Sequence, residues 1–249
     1  MYAPENFWVS KIGDYQRCSR LYKLKHLDGE KEPGLPSGDL IFGTAMHSAA
    51  NAVLSGEDGV LTFETYWNSL NENEHEWGRS NYADLASIGV TLIGRFARLH
   101  AKKFKPFQME QRLYAELIPG LNVEGTPDYL GDYEGVPSVV DFKTAAYRYD
   151  KKKIVCGIQL PFYAKLAKLA TGYEAKQAVY VVFIKSKTEA SIQTVVTQLT
   201  ESKLNSTVEN VVMTCLEARD RKSFPMNNSS CLMGQYACSF FNRCHGSSE

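Results

Sequence analysis

Two short stretches carry residues that could do chemistry together: Gly125-Thr-Pro-Asp128 and Val139-Val-Asp141-Phe-Lys143-Thr. Between them Tyr133-Glu134-Gly135-Val136 supplies a turn signal, and the β-branched Val136, Val139 and Val140 favour extended backbone. With Glu134 and Gly135 as the central turn residues, antiparallel pairing sets Asp128 opposite Asp141, Cβ atoms roughly 5 Å apart. Lys143 lies two residues beyond Asp141 and shares its face. Two carboxylates this close repel, and one takes up a proton unless a cation lies between them. Oxygen ligands at that separation suit a hard ion such as Mg²⁺ or Mn²⁺. An ammonium beside such an ion can orient a nucleophilic water or stabilise charge growing on a phosphate. An isolated Asp-x-Lys is common, and two solvated acids on a hairpin are the plainer reading, so the decision falls to the rest of the chain.

Such a centre needs a sheet beneath it and helices around it. Helical spacing of Val9, Ile12, Tyr15 and Cys18 predicts a helix over 6–26, followed by a Pro- and Gly-rich loop over 31–38. A helix over 40–54 carries His47 among the small residues Gly43, Ala45, Ala49 and Ala50, so it can approach another element closely. A lone histidine there is normally a satisfied core residue and becomes a metal ligand only with carboxylate partners. Helices are predicted over 63–77 and 83–104. On the second, Arg95, Arg98, Lys102 and Lys105 follow 3-4-3 spacing, a basic ridge suited to a phosphate backbone or simply a solvated face. The period then changes to strands over 108–118, with Glu110 near the start, and 121–130. Arg148, Lys151, Lys152 and Lys153 form a basic loop. A helix over 158–171 puts Gln159 and Tyr163 on one face and turns Leu160, Ala164, Leu166 and Ala167 toward the sheet. Strands follow over 178–184, an apolar and hence buried run, and 191–196. A helix over 201–219 has Leu204, Val208, Val211, Val212 and Leu216 as its core positions.

The chain has 249 residues, 44% hydrophobic, enough for one core. A single domain is expected, mainly helical over 1–107, with the sheet over 108–200 and a helix and tail over 201–249. Net charge is zero, so nucleic-acid binding requires a local patch. No apolar run is long enough to span a membrane, and the first residues lack a signal-peptide pattern. A cytoplasmic setting is expected, where thiols stay reduced and the six cysteines serve as ligands or core residues. Cys231, Cys238 and Cys244 are spaced C-x6-C-x5-C and need a fourth ligand. Cys18 is the candidate, because Cys156 and Cys215 lie in apolar contexts, and His245 competes with it. Four thiolates suit a 4Fe-4S cluster as well as zinc, and either would staple the N-terminal helix to the tail.

In order and spacing these motifs resemble the PD-(D/E)XK nuclease superfamily, more narrowly the RecB-type branch that carries an iron-sulfur cluster. That branch includes CRISPR-associated exonucleases, the AddB nuclease domain and phage exonucleases. The matching residues are Cys18-Ser-Arg20-Leu-Tyr22, Gly43 to His47, Glu110, Gly125 to Asp128, Asp141-Phe-Lys143, Gln159 to Tyr163 and the three tail cysteines. The x6 gap after Cys231 departs from the family's usual C-x2-C and is read as a longer loop around the same cluster. The resemblance implies an α/β restriction-endonuclease-like fold, a mixed central β-sheet flanked by helices. It implies His47, Asp128, Asp141 and the main-chain carbonyl of Phe142 as ligands of Mg²⁺ or Mn²⁺, with Glu110 acting through a water or a second site. Lys143 would position water, Gln159 would orient Lys143 or DNA, and Tyr163 would support that face. Arg95, Arg98 and Lys102, or Arg148, Lys151 and Lys152, would hold the DNA backbone. Cys18, Cys231, Cys238 and Cys244 would bind a 4Fe-4S cluster, with zinc as the alternative. The implied activity is exonucleolytic hydrolysis of DNA, at ends or on single strands. It serves recombination, repair, phage or CRISPR-related processing, alone, as a homo-oligomer or with a partner protein. A catalytically silent or partner-activated DNA-binding protein on the same fold is the competing reading, and the intact His47, Asp128, Asp141 and Lys143 argue against it.

Overall fold

The computed structural model describes residues 6–246 apart from 79, 151, 153–155, 234 and 235. Its centre is a five-stranded mixed sheet built from β1 (Phe104–Met109), β4 (Tyr129–Tyr133), β5 (Val136–Ala145), β6 (Gln177–Ile184) and β7 (Ser191–Gln198), in the order β1-β4-β5-β6-β7. Only the β5/β6 pair is parallel. A parallel pair needs a crossover, and α6 (Gln159–Thr171) provides it. β2 (Leu113–Ile118) and β3 (Leu121–Gly125) form a separate hairpin that packs on α6.

The two sheet faces bury different cores. Tyr129, Val140, Phe142, Val179, Val181 and Phe183 pack against α3 (Gly38–Leu54), α4 (Gly59–Asn68) and α5 (Tyr82–Leu99). Leu130, Val139, Tyr180, Val182 and Val195 face α1 (Val9–Arg17), α6 and α7 (Glu201–Asp220). The remaining pieces among the described residues are α2 (Ser19–Tyr22), the short tail pairing of β8 (Leu232–Met233) with β9 (Tyr236–Ala237), and α8 (Phe241–His245). No described helix is long and apolar enough to cross a membrane.

The expected hairpin register is found: Tyr133 pairs with Val136 and Tyr129 with Val140. Glu134 and Gly135 have φ of 51° and 80°, the two left-handed residues that a two-residue hairpin turn requires. Several expected elements differ. The 6–26 helix breaks at Cys18, which is extended (φ −161°, ψ 117°) and followed by α2 and a π-turn over Lys23–Leu27. Helical spacing cannot register a one-residue interruption. The 63–77 helix is instead α4, started by Asp58, whose carboxylate accepts the Val60 and Leu61 amides, and finished at Asn68. The strand over 108–118 is two strands in different sheets, parted where Glu110 adopts φ 46°. The strand over 121–130 likewise divides at Thr126-Pro127-Asp128.

The 83–104 helix ends at Leu99, so Lys102 lies on a 3-10 turn and Lys105 on β1, and the four-residue basic ridge does not share one helix face. On α7 the buried face is Thr207, Val211, Cys215 and Ala218, rotated from the expected stripe.

Candidate active site

β5 runs past the start of β4, and over Asp141–Ala145 it pairs only with β6. The opposite edge of β5 is therefore open there. Asp128, just before β4, leaves the ladder and its Oδ2 accepts the Phe142 amide at 2.7 Å, satisfying a donor that the sheet leaves unpaired. The strands thus splay at the two aspartates. Asp141 is almost fully buried. Its Oδ1 accepts from Gln159 Nε2 at 2.9 Å, and its Oδ2 faces Lys143 Nζ at 2.7 Å. That ion pair lies outside hydrogen-bond geometry, so among the described residues Oδ2 is a buried oxygen with no directed donor. His47 comes from α3 on the other side of the sheet, its Nδ1 3.4 Å from Asp128 Oδ2. Glu110 is exposed, and its amide donates to the Asp128 carbonyl at 3.3 Å.

The charges are strongly coupled. Burial raises the Asp141 pKa, Asp128 adds to the rise, and Lys143 opposes it. Burial works against a charged Lys143, but Asp141 holds its pKa above the ordinary value. Burial likewise disfavours a charged His47, and the Asp128 carboxylate more than offsets it, so the imidazole pKa is raised. The two acids thus sit between two basic side chains, His47 and Lys143.

Gln159 and Tyr163 share the face of α6 that looks into the site. Gly125 makes room for Tyr163, since a Cβ at that position would lie 2.6 Å from a ring carbon. This is a physical reason for glycine three residues before Asp128. At Gly43 a Cβ would meet Thr144 only at 3.5 Å, an ordinary contact, so His47's placement does not depend on glycine there.

Two clefts meet at Lys143. One is lined by Gly43, Thr44, His47, Glu110 and Thr144, the other by Trp8, Gly13, Arg17, Arg112, Gln159 and Tyr163. Arg95, Arg98, Lys102, Arg148 and Lys152 line neither cleft. Arg95 turns away and donates to the Ala190 carbonyl. Lys152 is exposed, and Lys151 lies outside the described residues. Sequence reasoning missed Arg17, Arg112, Tyr149 and Tyr180. Tyr180 pairs with Asp141 across β5/β6, and Tyr149 feels the charges of Lys143 and Asp141. Only the sheet order could have revealed them.

Among the described residues, no three His, Cys, Asp or Glu side chains already converge as a metal cage. The donor chemistry still fits a hard divalent cation: two carboxylates and an imidazole meet at the splayed edge, and Asp141 Oδ2 is buried without a donor.

The tail cysteines lie elsewhere. Cys18, Cys231, Cys238 and Cys244 all line one small cavity with Leu21, Phe240 and Asn227. The Asn227 amide donates to Cys18 Sγ at 3.4 Å, and Cys231 Sγ lies 3.3 Å from His245 Nε2. Burial raises the Cys244 pKa; Arg20 opposes the rise, and the other three thiols add to it. Cys156 is exposed and Cys215 buried, away from this cavity. His245 touches Cys231 without lining the cavity.

Comparison with known proteins bears on the fold and the family. A protein of Eubacterium rectale described provisionally as an exonuclease, with a crystal structure at 2.19 Å resolution, is similar over 98% of this chain and 94% of its own. The two are 14% identical with a TM-score of 0.56, a likeness of fold. The solved structure of SSO0001 aligns over 82% of both chains at 15% identity, with a TM-score of only 0.32. No curated protein matches. The family description of the PD-(D/E)XK nuclease superfamily matches residues 7–245. With a match over nearly its whole length and the two aspartates and lysine gathered at a splayed sheet edge, the chain belongs to the PD-(D/E)XK nuclease superfamily.

Proposed function

We propose that this nuclease is a divalent-metal-dependent deoxyribonuclease acting exonucleolytically on DNA ends or single strands, stabilised by a 4Fe-4S cluster. The observation that carries the catalytic part is the chain of contacts that joins His47, Asp128, Asp141, Lys143 and Gln159 where the two clefts meet. Nucleases of this superfamily generally use divalent metals such as Mg²⁺. Asp128, Asp141 and His47, with the Phe142 carbonyl, would hold the ion, and Glu110 would assist through a water. The ion would supply Lewis acidity at the scissile phosphate and lower the pKa of water.

The protein's own groups do the rest. Gln159 fixes Asp141 Oδ1, which keeps Oδ2 turned toward Lys143. The Phe142 amide fixes Asp128 in the same way. Lys143, kept charged by Asp141, orients the attacking water and meets the negative charge that grows on the non-bridging oxygens as the P–O bond breaks. Tyr163, packed on Gly125, walls the cleft beside Gln159. Arg17 and Arg112 border the same cleft and would meet phosphate.

Cys18, Cys231, Cys238 and Cys244 would hold the cluster, which is structural because hydrolysis moves no electrons. Their shared cavity supports this reading. A brown protein with broad visible absorption and stoichiometric iron and sulfide is expected, and a colourless zinc protein would replace the cluster with zinc. The deciding experiment incubates end-labelled single- and double-stranded DNA with the protein and Mg²⁺ or Mn²⁺, beside Asp141→Ala. Metal-dependent degradation lost in the variant is expected. Absence of cleavage by folded, metal-loaded protein on both substrates would assign the fold a binding or partner-activated role.

A further inference from the structure

A large groove lies outside the site described above. It has a volume of about 1330 Å³ and runs between the 32–40 loop, the segment around Trp77 and the residues that follow β5. That exceeds the roughly 300–1,000 Å³ of ordinary small-molecule pockets, so its size suits an extended ligand. It is continuous with the His47 cleft, because Asp39 and Leu40 line both.

Its chemistry differs from that of the catalytic cleft. Tyr147 is 80% exposed, Leu40 67% and Leu35 51%, and Trp77 forms a half-buried wall. The wall is rigid. Trp77 packs so closely on Gly38 that a Cβ there would lie 2.3 Å from the indole, and its N–H donates to the Glu72 carbonyl at 2.8 Å. The loop opposite is pinned by backbone bonds from Gly38 N to Glu76 O and from Glu76 N to Pro36 O, 2.7 and 2.9 Å long. The charged side chains of the lining are Glu32, Asp39, Glu76 and Lys185; Glu32 is paired with Lys25 at 2.6 Å and Asp39 with Lys185, so among the described residues the lining leaves no cation unpaired.

A phosphate chain would find no free cation along such a floor, whereas planar apolar rings would be accepted. Tyr147 follows Lys143 by four residues, which places its backbone within about 14 Å of the catalytic lysine. Arg148, next in sequence, is exposed and can meet the backbone outside the groove.

We propose that this groove is a subsite for unpaired nucleobases of the substrate strand, with Tyr147 as the stacking platform and the phosphates turned outward past Arg148. This deepens, and rests on, the reading of the site as a deoxyribonuclease. Base stacking on an aromatic side chain is sequence-tolerant because every base has a π-face. The subsite therefore demands an unpaired strand on this side of the scissile phosphate and no particular sequence.

The test measures binding without turnover. Fluorescence anisotropy of a labelled single-stranded oligonucleotide is recorded in EDTA for the wild type, Tyr147→Ala and Tyr147→Trp. The same is done with an oligonucleotide of equal length carrying abasic residues. Tyr147→Ala is expected to weaken binding of the normal strand about tenfold, Tyr147→Trp to restore it, and the abasic strand to bind all three proteins alike. Unchanged binding of the normal strand by Tyr147→Ala would overturn the subsite, and would leave the groove to another ligand such as a peptide. An equal loss on both oligonucleotides would overturn it too, because the ring would then be contacting backbone. Since binding is read without metal, a base-dependent effect in a protein that fails to cleave with Mg²⁺ would sink the nuclease reading alone. Cleavage with no Tyr147 effect would sink the subsite alone.

Discussion

The proposed catalytic centre and the cysteine cavity are both assembled from distant parts of the chain, but by different means. Asp128, Asp141 and Lys143 are set by backbone: a two-residue turn, a register and an open strand edge fix where the side chains go. The cysteines are set by side chains and loops. Cys18 sits at a break between helices, and among the described residues the tail around Cys238 and Cys244 has Leu21, Leu24 and Phe240 as its buried core. A sheet holds its ligands whether or not a metal is present, whereas so small a core gains much of its order from what the thiols bind. Damage to the first region should therefore cost activity and spare the fold, and damage to the second should do the reverse.

The sharpest form of that contrast is Lys143→Ala. A loss of roughly 10²–10³ in kcat is expected, with a melting temperature within a few degrees of wild type, since the lysine is partly exposed and Asp141, which burial already pushes up to about 7, can take up a proton once the ammonium is gone. Wild-type cleavage rates in the variant would remove Lys143 from the mechanism. Next comes Cys238→Ala on the metal- or cluster-loaded protein. If the bound group contributes about 4 kcal/mol, as for a ligand at a thousand times its Kd, the melting temperature should fall by roughly 10 °C. An unchanged melting curve would show that the tail is held without the thiols.

Gly125→Ala joins the two behaviours, because the added methyl collides with Tyr163. Overpacking of this kind costs about 1–3 kcal/mol, and denaturant unfolding should show it together with slower cleavage. Slower cleavage at unchanged stability would mean that Tyr163 moves freely and that the site alone suffers. The smallest effect is expected from Glu134→Gly at the hairpin turn. Relief of a left-handed non-glycine residue is offset by greater freedom of the unfolded chain and loss of the 2.7 Å Lys103 ion pair. The net change should stay under about 1 kcal/mol, and a larger loss would show that Glu134 does more for the register than its backbone does.

The two regions also differ in how far the sequence discloses them. The hairpin register that brings Asp128 beside the Asp141 strand was legible because turn chemistry and a period of two leave few registers open, whereas the departure of Asp128 from the ladder to meet the Phe142 amide was not. Gln159 and Tyr163 were legible because a helix repeats predictably. Glu110 was placed near the right strand, but its left-handed backbone and the division of the strand around it leave no mark in hydropathy. Lys102 was assigned to a helix that ends at Leu99, since a basic residue gives no signal of where α5 stops. Arg17, Arg112 and Tyr180 were invisible because their nearness to Lys143 depends on which strands and helices become neighbours. The cysteines could be gathered by counting, whereas the bend at Cys18 that turns its thiol toward Asn227 could not.

The bond from the Asn227 amide to Cys18 Sγ joins residues 209 positions apart. At about 5–20 residues per second, a ribosome needs roughly ten to forty seconds after making Cys18 before Asn227 exists, and longer still for Cys244. Through that interval the first thiol has no tail to meet. Its completion is therefore a late, whole-chain event, and a nascent protein would acquire its catalytic geometry before it acquires its clasp.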